Sequence, residues 1–303
     1  MLGISIIFTA WVGTILLSQV ALVAFILLPD SRPYILAFLA IYYGTRPLFP
    51  VQYSERVSKF YCWANSTPYF KRQEIVCEDD TPILPDSKVI LSQHPHGILC
   101  CGWTTHVAIH SKWFHSRFHM LLAEILTQLP IVSNVLCWGG SESASKPNFE
   151  KCVKAGNNIA FMPGGFEEAT LYEYGKHRIY IKKRAGFIKY GLQYGYKIYP
   201  SYHFGEEMTY HALTWFLPFR MWLNKFQLPG VLPFGSWWCF YMPLRSAELI
   251  TVVGKPIQLP TIANPTREDV EKYHKIYIDA MQDLFDRHKV KYAKDPNAVL
   301  EIY

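Results

Sequence analysis

The chain predicts an α/β domain on a mostly parallel sheet, carried behind a hydrophobic membrane hairpin. Two patterns predict it. Four short apolar runs, Lys88–Gln93, Asn158–Met162, Lys197–Tyr202 and Leu249–Val253, each end at a Gly, Pro or His, and the segments between them are long enough for helices. Ahead of them, Ile4–Leu28 is about 25 residues without a charge, enough to cross a bilayer.

Composition agrees with a membrane-associated globular chain. Of 303 residues, 50% are hydrophobic, 16% aromatic and only 18% charged, which excludes disorder for most of the length. The net charge of +6 is spread along the sequence, whereas a nucleic-acid binder gathers a denser basic stripe, so no nucleic-acid partner is expected. Seven cysteines, odd in number and without a C-x-x-C pair, read as reduced thiols on a cytosolic face.

Residues 1–46 form the membrane device. No Lys or Arg precedes the apolar run, so it reads as a retained anchor and not as a cleaved signal peptide. Pro29-Asp30-Ser31-Arg32-Pro33 breaks the first helix, and Tyr34–Tyr43, too short to span alone, comes next, before Gly44-Thr45-Arg46-Pro47. A hairpin dipping into one leaflet and a full span leading into an interfacial segment both fit this pattern. Arg32 and Arg46, the basic residues nearby, favour a cytosolic side for the residues after 46.

Residues 47–87, polar and aromatic with Pro68, Pro82 and Pro85, read as a linker, and 88–303 as the cytosol-facing domain. In the latter, Thr266 with Asp269 three residues on is a carboxylate capping box. Val270, Tyr273, Tyr277, Met281 and Leu284 then recur on one helix face, predicting a terminal helix packed on the sheet.

Chemistry in a parallel sheet gathers at the carboxyl ends of its strands. His94-Pro95-His96-Gly97 falls there after the first strand: His96 offers a base for an attacking hydroxyl, and the Gly97 amide an oxyanion donor. Pro163-Gly164-Gly165-Phe166-Glu167-Glu168 comes after the second strand and can face a carboxylate toward His96, with Gly165 a second amide donor. The basic cluster Lys182-Lys183-Arg184, with Gly186 opening a helix, suits the phosphates of a nucleotide-bearing acyl donor such as coenzyme A, or an anionic membrane surface.

Other features admit more than one reading. Cys100-Cys101 makes a cysteine acyl-enzyme conceivable, although direct transfer is preferred. The helical spacing of His106/His110 and His115/His119 raises a metal site, but further H-x-x-H-H boxes and matching Cys, Asp or Glu ligands are absent, and no metal is expected. The aromatic stretch from His211 to Leu244 fits a second membrane surface, the wall of an acyl-chain tunnel, or core.

Taken together, the strings His94-Pro95-His96-Gly97, Gly164-Gly165 with Glu168, Arg184-x-Gly186-Phe187, Tyr202-x-Phe204-Gly205-Glu206 and Val252-Val253-Gly254-Lys255-Pro256-Ile257 resemble the diacylglycerol acyltransferase type 2 family, which includes monoacylglycerol acyltransferases and wax synthases. The resemblance covers roughly residues 40 to 303. It implies a glycerolipid-acyltransferase-like mixed sheet with flanking helices, and transfer of an acyl group from acyl-CoA to diacylglycerol at the endoplasmic reticulum membrane or a lipid droplet surface. It further implies His96 as base, His94 and Glu168 as its orienting groups, and Arg184 with neighbouring lysines on coenzyme A. The wider superfamily pairs its histidine with an aspartate five positions on. Here that position is Cys101, which leaves Glu168 as the carboxylate.

Monoacylglycerol or a long-chain alcohol as acceptor, and a non-catalytic lipid-droplet hairpin protein, are the alternatives. Acyl-CoA as co-substrate, the neutral lipid acceptor and membrane lipid are the expected partners, no other cofactor is needed, and homo-oligomer formation is left open.

Overall fold

The computed structural model describes residues 2–79, 81–108 and 116–303. Its helices are α1 (Leu2–Leu27), α2 (Arg32–Thr45), α3 (Glu55–Ala64), α4 (Glu124–Gln128), α5 (Val132–Trp138), α6 (Lys146–Lys154), α7 (Gly165–Thr170), α8 (Gly186–Tyr194), α9 (Leu217–Leu223) and α10 (Arg267–Tyr292). Its strands are β1 (Arg72–Cys77), β2 (Val89–His94), β3 (His119–Leu122), β4 (Ser141–Ser143), β5 (Ile159–Phe161), β6 (His177–Ile179), β7 (Lys197–Phe204), β8 (His211–Ala212), β9 (Pro233–Phe234), β10 (Glu248–Val253), β11 (Ile257–Gln258) and β12 (Leu300–Ile302).

The main sheet runs β1-β10-β7-β2-β5-β3-β4, with β11 beside β7. From β7 to β4 the strands are parallel, whereas β10 is antiparallel to β7 and carries β1 parallel to itself. The sheet is therefore mixed. The central strand β2 is buried along its whole length, as expected of a strand covered on both faces. Because β2 and β5 are parallel neighbours, the loops after His94 and after Phe161 leave the sheet side by side.

The terminal helix forms as its cap predicts. Thr266 Oγ1 accepts the Asp269 N–H at 3.1 Å and Asp269 Oδ2 accepts the Thr266 N–H at 2.9 Å. Tyr277, Met281 and Leu284 of α10 are buried in the same core as Ile90 and Ile198 of the sheet, and Tyr277 places its hydroxyl 2.6 Å from Ser92 of β2.

Two expectations change. Residues 47–87 are more than a connector, since they contain α3 and β1, and β1 pairs along β10 from Arg72↔Glu248 to Cys77↔Val253. The polar start of that strand, half-buried Arg72 and Gln73 and exposed Glu74, suits an edge position and does not read as an apolar run. His119 lies on β3 and not on a helix, and His110 and His115 fall outside the described residues.

The N-terminal segment returns to the domain. Gly3–Leu27 is long and apolar enough to cross a membrane, and no other described helix is. Ile4, Phe8 and Val12 are buried against Tyr69, Tyr210 and Met242, whereas Leu22, Ile26 and Leu27 are exposed. After the turn Pro29–Ser31, Ser31 Oγ and Arg32 Nε donate to the last carbonyls of α1. At the far end of α2, Tyr42 and Arg46 each reach Ser133 Oγ at 2.9 Å. The start of α1 and the end of α2 thus both rest on the domain.

Candidate active site

At the carboxyl end of β2 the chain turns through a cis His94–Pro95 bond into His96 and Gly97. Glu168, in α7 and fully buried, is the hub. Its Oε2 lies 2.8 Å from His94 Nδ1 and accepts the Tyr180 N–H at 2.7 Å, while Oε1 accepts the His96 N–H at 2.5 Å. The carboxylate therefore grips the imidazole of His94 and the backbone of His96. Gly164 lies so close to it that a Cβ there would overlap the carboxyl group.

His96 itself is half-buried. Its Nδ1 lies 2.9 Å from Gly97 O, so Nδ1–H donates to that carbonyl and Nε2 keeps its lone pair. Cys100 Sγ sits 3.5 Å from both ring nitrogens. Burial pushes the His96 pKa below its ordinary value, which keeps the imidazole neutral at pH 7 and its Nε2 lone pair free to take a proton.

Behind the loop stands Glu206, in the short turn that follows β7, whose two oxygens accept the N–H groups of Cys101 (3.0 Å) and Gly102 (2.6 Å). Burial raises its pKa to about 8. Gly97 has φ +62 and a Cβ there would run into the Glu206 side chain, so the turn requires glycine. Deeper still, Thr251 Oγ1 meets Nδ1 of both His106 (2.6 Å) and His203 (2.7 Å), and His203 Nε2 meets Gln93 Oε1 at 2.9 Å. Sequence reading singled out neither the bracing role of Glu206 nor this chain; Glu206 was visible only as the last residue of a motif.

His96 lines a cavity of about 1190 Å³, above the usual range for small-molecule sites, walled by α1, by β3 through α5, and by residues 226–241. Gly165, Lys183, Arg184 and Gly186 line it too; Gly97 and Lys182 do not. Of the two residues expected to offer oxyanion amides, Gly165 lines the cavity and Gly97 does not. Arg184 is not free: its Nη2 pairs with Glu167 and its guanidinium lies over the Tyr180 ring.

His119, Glu142 and Cys152 bring possible ligand atoms within 4.8 Å of one another. Glu142 is also met by Arg117 at 3.6 Å and by Asn148, so its charge already has a cationic partner.

A neutral histidine on a large apolar cavity, with cations at its edge, suits transfer of an acyl group from a charged carrier to a lipid hydroxyl. The family model described as diacylglycerol acyltransferase matches residues 35–303, and the chain belongs to that family. It is an acyltransferase. It is 34% identical to diacylglycerol O-acyltransferase 2 of Dictyostelium discoideum over 72% of this chain and 71% of that protein. It is 32% identical to mouse acyl-CoA wax alcohol acyltransferase 2 over 78% of this chain and 75% of that one. Among solved structures it is similar to the 1-acyl-sn-glycerophosphate acyltransferase PlsC of Thermotoga maritima, with 13% identity and a TM-score of 0.46 over 97% of each chain.

Proposed function

We propose that this protein esterifies diacylglycerol to triacylglycerol with acyl-CoA, anchored by residues 1–46 in the endoplasmic reticulum membrane or on a lipid droplet, its domain cytosolic. The observation that carries the chemistry is His96: Nδ1 is tied to Gly97 O and the ring opens on the apolar cavity. His96 Nε2 takes the hydroxyl proton as the alcohol oxygen attacks the thioester carbonyl. Gly165, which lines the cavity, offers its amide to the resulting oxyanion. Collapse breaks the carbon–sulfur bond, and the imidazolium returns its proton to the coenzyme A thiolate. The acyl chain takes the apolar part of the cavity, and Lys183 and Arg184 meet the phosphates. No metal is needed for these steps, and acyl-CoA is the co-substrate.

A fatty-alcohol acceptor is the second reading, favoured by the similarity to the mouse wax alcohol enzyme. Labelled oleoyl-CoA offered with diacylglycerol, monoacylglycerol and hexadecanol in parallel decides between them. Triacylglycerol as the main product is expected. A dominant wax ester or diacylglycerol would replace the acceptor, and no ester from any alcohol would overturn the reading.

A further inference from the structure

The segment between β8 and β10 exposes a large apolar surface. Trp237 is 97% exposed, Phe216 76% and Trp215 68%, and Phe219, Phe226 and Trp238 each exceed 50%. Water-soluble surfaces rarely gather so much apolar area in one place. Four of the nine tryptophans lie here, at 215, 222, 237 and 238.

Its charge is one-sided. From Met208 to Ala247 there is no carboxylate, Lys225 and Arg245 are exposed cations and Arg220 is buried on the Gly230 and Thr170 carbonyls, so the surface charge complements an anionic leaflet. The pairing of β8 with β9 pins the base of the excursion, so the aromatics project from a fixed frame.

The patch also joins the hairpin. Tyr241 approaches Thr9 of α1 at 3.4 Å, and Val231, Cys239 and Tyr241 pack on the cluster that buries Ile4, Phe8 and Val12. Phe226, Leu232 and Phe240, all exposed, line the cavity that holds His96, opposite Leu16 and Leu22 of α1.

We infer that residues 215–240 form a second membrane contact, seated at the interface of the same leaflet that holds the hairpin, and that the lipid acceptor enters the cavity from this leaflet between α1 and residues 226–240. The inference rests on the reading of residues 1–46 as membrane-inserted. The occupant is the bilayer and not a second copy of the chain, because the patch is rich in tryptophan and continuous with the anchor and has no carboxylate to pair its own cations.

The test uses the full-length protein in phosphatidylcholine and phosphatidylserine vesicles carrying a trace of phosphatidylcholine with a photoreactive acyl chain. Irradiation and peptide mapping are expected to place label in 215–240 as well as in 3–45. A variant with Trp215→Ser, Phe216→Ser, Trp237→Ser and Trp238→Ser should lose about tenfold of the label in 215–240 and keep that in 3–45. Label confined to 3–45 in the unsubstituted protein, or protein–protein cross-links at 215–240 in place of lipid label, would overturn the second contact. Absence of label from both segments would overturn the hairpin reading itself, and neither readout depends on which alcohol the enzyme esterifies.

Discussion

Glu168 holds His96 by its backbone and not by its ring: Oε1 accepts the His96 N–H at 2.5 Å, while the imidazole hydrogen-bonds to Gly97 O. The carboxylate therefore sets where the base stands. Replacing Glu168 by Ala strands the buried His94 donor, at roughly 1–3 kcal/mol, and the part-buried N–H groups of His96 and Tyr180, at less each. Glu168→Ala is expected to lower the melting temperature and to reduce kcat by about 100-fold or more with little change in KM for acyl-CoA. Glu168→Gln, which keeps one acceptor oxygen, should fall between. Folded Glu168→Ala protein with wild-type kcat would remove the carboxylate from this role.

Cys100 lies close enough to His96 to invite a covalent mechanism, but burial, reinforced by Glu206 and Glu168, pushes its thiol well above the ordinary range. A thiol so held is a poor nucleophile. Cys100→Ser should keep kcat within about threefold, and acid-quenched wild-type enzyme should carry no hydroxylamine-sensitive acyl group. A trapped acyl-cysteine would contradict direct transfer.

The ion pair between Arg184 and Glu167 gives the donor a competitor at the cavity edge. Arg184→Glu should raise KM for acyl-CoA by about tenfold with kcat nearly unchanged, and Glu167→Gln should lower it. Steady-state kinetics with varied acyl-CoA reads both. An unchanged KM in Arg184→Glu removes that cation from the donor site.

Stability should peak near neutrality. Burial lowers the pKa values of His96, His106 (to about 3), His177 (to about 4), His203 and His274, so these rings are neutral in the fold and take up protons on unfolding below pH 6.5. Their effect raises stability as pH rises to 6.5. Burial raises Glu206 to about 8 and Glu207 to about 7, so the fold retains protons that the unfolded chain releases above 4.5, and stability falls as pH rises to about 8. Below 6.5 the five histidines outweigh the two glutamates; from there to about pH 8 the glutamates dominate. Thermal melts from pH 5 to 8.5 should show a maximum between about 6 and 7, and a steady rise to pH 8.5 would contradict this balance.

Much of this was legible in the sequence, for identifiable reasons. Strands β2, β5, β7 and β10 are apolar enough to announce themselves, and the Thr266–Asp269 cap marks α10 unaided. Strand β1 was not legible, because Arg72, Gln73 and Glu74 look like a connector until β10 supplies their backbone partners. In the site, His94, His96 and Glu168 stood out by type and order. That Glu168 would bind the His96 amide, 72 residues away, and that Glu206 would fill the space behind Gly97, are long-range facts that only the sheet register creates.

The most direct test of the central claim is the turnover of purified His96→Ala protein with oleoyl-CoA and diacylglycerol, with folding checked by its melting curve. A folded protein whose kcat has fallen by about 100-fold to 10,000-fold is the predicted result. Wild-type turnover in that variant would contradict the assignment of His96 as the base.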